Sequence, residues 1–395
     1  MSRKFLAATL LWAATAAPFL TACDDDDAIK SSDNKVTYSP PASVASLRFI
    51  GENIVPYNQK FNNTTLGGFS GIDYRPETGM YYIMSDDASA LQPVRFYMAR
   101  LNFDENSFSD VTFTNVTTLR RPDGSNFPSA TADPTATIDP EGIRYDPATW
   151  RIIWSSEGVR NLTRTPAVLN HPFLREANPD GSYVAEFGLP SLFRIQATDN
   201  GTRSNGSFEG LSLSPDGRFL YTAQEEPLYE DGPRASPTVA GSPVRILKYD
   251  RATRQPVAQY AYKLDAVHKA PVPETQFQLN GVVEVLALSE TKMLVMERSF
   301  AVGATPDYAV KIYEIDLTGA TDVSSLTSLQ STSYTPVSKR LVLDVATTGI
   351  KRIDNLEGMT FGPKLPNGHH SLVLVSDDNF GATQISQFLA FEVMP

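Results

Sequence analysis

The sequence predicts an all-β fold, a single β-propeller of four-stranded blades. Three observations carry this reading. A motif of an acid, a glycine and a short apolar strand recurs at nearly constant spacing along most of the chain. The apolar segments alternate with period two and are rich in β-branched and aromatic residues, and no segment after the N-terminal apolar run keeps a helical period. The composition agrees: of 395 residues 41% are hydrophobic and 20% charged, so disordered, collagen-like and coiled-coil classes fall away, while one Cys cannot build a disulfide scaffold. A formal net charge of −11 argues against nucleic acid as a partner, because phosphate backbones are bound by clustered Lys and Arg. An acidic protein that handles phosphate needs a cation between the two.

The chain opens with an address. Ser2-Arg3-Lys4 is a short basic start, and Phe5 to Leu20 is an apolar run of secretory-signal length, too short for a comfortable transmembrane helix. Leu20-Thr21-Ala22-Cys23 resembles the lipobox of bacterial lipoproteins, so residues 1–22 read as a signal peptide and Cys23 as the lipidated residue, which holds the protein on a membrane without a spanning segment. Residues 23–45, with Asp24 to Asp27 at their head, read as an acidic flexible tether, and 46–395 as the globular body. The predicted location is the bacterial cell envelope, on the periplasmic or outer-surface side.

The repeats follow in order. Ser70-Gly71-Ile72-Asp73-Tyr74 pairs with Met80 to Asp87, Glu141-Gly142-Ile143 with Arg151 to Glu157, and Glu209-Gly210-Leu211 with Arg218 to Glu226 through the turn Ser214-Pro215-Asp216-Gly217. A less regular fourth copy is Glu284-Val285-Leu286 with Lys292 to Arg298, and the fifth is Glu357-Gly358-Met359 with Ser371 to Asp378. Gly71, Gly142, Gly210, Val285 and Gly358 lie 71, 68, 75 and 73 residues apart. Further strand patterns after each hairpin, such as Arg95 to Leu101 and Asp110 to Leu119, complete four antiparallel strands per unit. The last unit supplies only three, and Ser46 to Ile50 is the candidate for the missing outer strand, closing the ring with both termini in one blade. Five repeats predict five blades; six would require a degenerate blade hidden in a long inter-repeat segment.

In a propeller the first strand of each blade lines the channel and the second returns beside it, so the acids that open the first strand and end the second share one face of the disc. This places Glu141, Glu209, Glu284 and Glu357 with Asp86, Glu157, Glu225, Glu297 and Asp377 on one rim, with Asp87, Glu226 and Asp378 beside them. Carboxylates about 6 Å apart repel by a few kcal/mol at an effective dielectric near 20. Such a ring must protonate, pair with bases or bind cations, and Arg298 is the one obvious base among the motif ends. Calcium suits the ligand types, since the acids come with Asn280, Asn355 and Asn379 and soft or imidazole ligands are almost absent. Each acid alone also has a structural reading, as an acceptor for backbone N–H groups of the next blade.

Taken in order, Gly67-Gly68-Phe69-Ser70-Gly71-Ile72-Asp73-Tyr74 with Ser85-Asp86-Asp87, Asp139-Pro140-Glu141-Gly142-Ile143, Phe208-Glu209-Gly210-Leu211, Met296-Glu297-Arg298-Ser299-Phe300 and Asn355-Leu356-Glu357-Gly358-Met359 with Ser376-Asp377-Asp378-Asn379 resemble the phytase-like family called esterase-like activity of phytase. The resemblance implies a hydrolase of phosphoesters or carboxyl esters. The expected chemistry is metal-assisted, with Asp86, Asp87, Glu141, Glu157, Glu209, Glu225, Glu357, Asp377 and Asp378 as calcium ligands. Glu297, Arg298 and Glu284 are the expected catalytic residues, and Arg298, Asn280 and Asn379 the expected substrate contacts, Arg298 clamping a phosphate oxygen. A serine-hydrolase elbow is absent, because Gly67-Gly68-Phe69-Ser70-Gly71 lacks the Gly-x-Ser-x-Gly spacing, and His171, His268, His369 and His370 lie between strands, away from the motif ends. The rival class is a monomeric lipid-anchored propeller that binds a ligand or an envelope protein without turnover.

Overall fold

A computed structural model describes residues 39–394, and the predicted signal, Cys23 and most of the tether lie outside the described residues. Five four-stranded antiparallel sheets follow one another around a ring. From the channel outward, blade I runs 72–75, 80–85, 95–103 and 108–118; blade II runs 139–146, 151–157, 173–177 and 183–186. Blade III runs 208–213, 219–224, 243–250 and 255–263, and blade IV runs 278–287, 292–301, 308–316 and 338–344. Blade V takes 356–364, 370–376 and 386–394 from the end of the chain and 46–55 from its beginning. The count is therefore five, and Ser46 does pair with Met394 and Val55 with Ser386 to close the ring. Among the described residues no helix is long and apolar enough to cross a membrane.

Period-two alternation builds the core. In the second strand of blade II, Ile152 and Trp154 pack on Tyr82 and Met84 of blade I, whereas Ile153 packs on Leu211 and Leu220 of blade III. Each strand thus feeds two interfaces, and the core is five inter-blade layers rather than one central mass. Trp154 is 1% exposed and meets Phe127 and Phe173 edge-on at 5.9 and 5.0 Å. Trp154→Ala is expected to destabilise the protein by about 3–5 kcal/mol, read as a lower urea midpoint with an unchanged m-value.

At the glycine positions of the inner strands, neighbouring blades come too close for a Cβ. A Cβ on Gly142 would stand 2.5 Å from the Glu209 carbonyl oxygen, and one on Gly210 would stand 2.5 Å from Glu284 Cα. The recurring glycine is therefore a packing requirement of the ring. Polar side chains stitch the inner strands together: Tyr145 N donates to Asp73 Oδ2 at 2.7 Å, and Ala287 N to Ser212 Oγ at 2.8 Å.

The channel is plugged by Arg144. Its guanidinium donates to the carbonyls of Ile72 at 2.6 Å, Val285 at 3.3 Å and Met359 at 3.1 Å, and pairs with Glu284 at 2.8 Å. One side chain of blade II thus satisfies backbone acceptors of blades I, IV and V.

Candidate functional site

Strand register defines equivalent positions. Ile72 pairs with Ile83, Ile143 with Trp154, Leu211 with Thr222, Val285 with Val295 and Met359 with Leu374. Three residues beyond each second-strand partner stand Asp86, Glu157, Glu225, Arg298 and Asp377, and two residues before each first-strand partner stand Ser70, Glu141, Glu209, Val283 and Glu357. All ten positions lie at one end of the hairpins, as the motif predicts. Four carboxylates and one guanidinium form the first ring, and three carboxylates contribute to the second.

The register corrects the fourth repeat by one residue. Glu284 occupies the place that glycine takes in the other four blades, and the equivalent of Glu141 is Val283. Glu284 consequently turns into the channel, accepts from Leu211 N at 2.9 Å and pairs with Arg144. Glu297 likewise falls one position short of the ring, which Arg298 occupies instead. It is consumed by Tyr262 Oη, by Asn280 Nδ2 at 2.7 Å and by Lys339 Nζ. Asn280 is therefore a support for Glu297, with no free donor aimed at the rim. Asp87 accepts from the backbone of Ala90, Leu91 and Gln92 and pairs with buried Arg95 at 2.7 Å. Asp378 accepts from Gly68 N and Phe380 N, shaping the loop beside the rim. Asn379 is exposed with a φ of 45°, and its N–H donates to Asp377.

Of the other predicted ligands, Asp86, Glu141, Glu157 and Glu209 converge. Oxygens of Asp86, Asp139 and Glu141 lie within 4.8 Å of one another, as do those of Glu141, Glu157 and Glu209, so Glu141 joins two adjoining clusters. Asp139, paired with Glu157 across the hairpin, was missed as a ligand because the repeat marks only the Glu-Gly step two residues later. Asp86 and Asp139 are half-buried and form the mouth, whereas Glu141, Glu157 and Glu209 are buried behind them. On the other side of the ring, Arg298 Nη2 stands 3.0 Å from both Glu225 and Glu357, and Asn355 Nδ2 holds Glu357 at 2.9 Å.

Burial and crowding of like charge raise the pKa values of these acids. Desolvation, then the Asp139 and Asp377 charges, push Asp86 well above its ordinary range; desolvation, then Glu209 and Asp86, do the same for Glu141. Glu157, Glu209 and Asp377 are raised well above theirs for the same reasons, and Asp139 is raised by its own desolvation. Glu225 is pushed up to about 8 by burial, against the lowering effect of Arg298. Arg298 itself is raised by Glu225, Glu357 and Glu209, which outweigh its desolvation, so its charge is permanent.

Such a set fits a hard divalent cation. Every converging donor is an oxygen, Glu157 Oε2 and Asn355 Oδ1 are buried with no hydrogen-bond partner, and the ring holds a surplus of acids over its one base. The phytase-like family model, esterase-like activity of phytase, matches residues 64–380. The chain belongs to this family. Membership in the phytase-like family suggests a hydrolase, and the acidic clusters of this member could bind a metal. No curated protein sequence matches the chain. Among solved structures, an α-L-arabinofuranosidase from Lactobacillus brevis is 13% identical at a TM-score of 0.41, covering 85% of this chain and 94% of that one. A protein of unknown function from Dyadobacter fermentans is 10% identical at 0.40, covering 89% and 100%. A mannose phosphorylase from Leishmania mexicana is 9% identical at 0.38, covering 89% and 88%. Likenesses this distant bear on neither the substrate nor the reaction of the phytase-like chain.

Proposed function

We propose that the chain is a calcium-dependent phosphoester hydrolase, held in the bacterial cell envelope by lipid on Cys23 and working as a monomer. The observation that carries the reading is the convergence of Asp86, Asp139 and Glu141 beside Glu157 and Glu209, with Arg298 on the same ring. A bound divalent cation would neutralise phosphate charge and lower the pKa of a coordinated water. Asp86, Asp139, Glu141, Glu157 and Glu209 would hold it. Arg298, fixed between Glu225 and Glu357, presents a guanidinium whose plane suits two phosphate oxygens. Glu225 keeps a proton up to about pH 8 and can give or take one in the working range.

The test is turnover of phosphomonoesters, phosphodiesters and carboxyl esters by metal-stripped protein, with and without added calcium. Calcium-dependent release of phosphate supports the reading. Calcium binding without turnover on any class would leave a binding propeller instead.

A pH dependence follows. Carboxyls raised in the folded state bind protons that the unfolded chain has already lost, so the stability they contribute is present at low pH and declines as pH rises. Metal-free protein is expected to lose thermal stability progressively as pH rises from about 5 through the Glu225 value of about 8. Saturating calcium should flatten that slope, and its affinity should rise with pH as protons are displaced. Melting curves across this range, with and without calcium, check both. Cys23→Ser should abolish incorporation of labelled fatty acid and release the protein from membranes.

A further inference from the structure

The opposite face of the disc carries a site of the opposite sign. Arg151 and Arg218 stand at the turn ends of second strands whose other ends reach Glu157 and Glu225, so this face is a strand length, about 20 Å, from the acidic rim. Between blades II and III the turns frame an open cavity of about 490 Å³, lined by Arg151, Arg218, Arg251 and Arg254 against Glu176 and Asp250. That volume suits a small molecule rather than a lone ion.

The arginines are held in place. Glu176, buried at 1% exposure, receives Arg151 at 3.0 Å and Arg254 at 2.8 Å, with Arg251 at 3.8 Å, so one carboxylate gathers three guanidiniums. Asp146 takes a further contact from Arg251. Asp250 is turned to its own loop, accepting from Thr253 N and Oγ1, and Asp216, 3.7 Å from Arg218, lies on an exposed turn outside the lining. Arg251 Nε is buried with no hydrogen-bond partner. The cavity wall therefore keeps more guanidinium donors than its acids use.

We propose that this cavity binds a compact polyanion whose phosphate or carboxylate oxygens match the arginine forks, independently of the acidic rim. Tripolyphosphate and citrate are the probes, titrated calorimetrically into the metal-stripped full chain, so that no cation on the rim can hold them. At least one is expected to bind at about one per chain and to weaken with added salt. Arg151→Gln/Arg218→Gln removes two donors at the edge of the cavity and leaves Arg251 and Arg254 on their buried acids. It should weaken binding about tenfold or more at an unchanged melting temperature. Arg251→Gln should also weaken binding, whereas Arg298→Gln on the other face should not alter it. Tripolyphosphate alone assigns the site to phosphate compounds, and citrate alone to polycarboxylates. Failure of both to bind, or binding untouched by the double variant, overturns the proposal.

Discussion

Arg298→Ala is expected to lower kcat/KM on a phosphoester by about 100-fold or more, the scale of losing one charged donor aimed at developing charge, while calcium affinity rises. The two effects have one cause. Arg298 is the sole base on a ring whose other second-strand ends are Asp86, Glu157, Glu225 and Asp377, so its removal makes the ring more negative and leaves Glu225 and Glu357 unpaired. Metal-free Arg298→Ala should melt below the parent and regain most of the difference in calcium. Arg298→Lys keeps the charge but loses the planar fork, and should recover stability more completely than turnover. Turnover unchanged in Arg298→Ala would remove Arg298 from the reaction and leave it as a structural ion pair. Calorimetry for the metal, melting curves and steady-state kinetics on the same three proteins separate these outcomes.

Arg144→Met should cost about 3–5 kcal/mol of stability with the acidic rim intact in sequence. Arg144 is 2% exposed, and its loss strands Glu284 as a buried acid without a base and leaves carbonyls of blades I, IV and V short of a donor. Glu284, already raised to about 7 by burial despite Arg144, should then protonate. Adding Glu284→Gln to Arg144→Met should therefore return part of the loss, because a buried acid no longer has to be protonated while the unpaired carbonyls remain. Denaturant unfolding of the two single variants and the double variant measures the coupling. Simple additivity would mean that the pair is not what holds the channel closed.

The parts of this architecture that are local patterns were legible in the chain. Strand alternation, the Asp-Gly turn at Asp216-Gly217 and the returning Glu-Gly step each depend on neighbours within a few residues, and together they predict five blades, the closure by Ser46 to Ile50 and the shared rim. Blade IV shows where such reading stops. With glycine absent from the fourth motif, Glu284 and Glu297 match the repeat by residue type but stand one position from its geometry, and a one-residue slip in a strand sends a side chain to the other face. Asp139 was overlooked for a related reason, since its place beside Asp86 comes from the meeting of two blades rather than from any spacing within one.

Periodicity written along the chain carried the propeller, its five counted repeats and the crowding of acids at one end, and the closed ring settled five blades over six. The folded ring added which acids converge, that Arg298 completes their ring, that Arg144 and Glu284 seal the channel and that arginines gather on the far face. Those are contacts between residues far apart in the chain, fixed by ring closure and strand register, and a carboxylate's role as ligand, ion pair or backbone acceptor is set by what the neighbouring blade places against it.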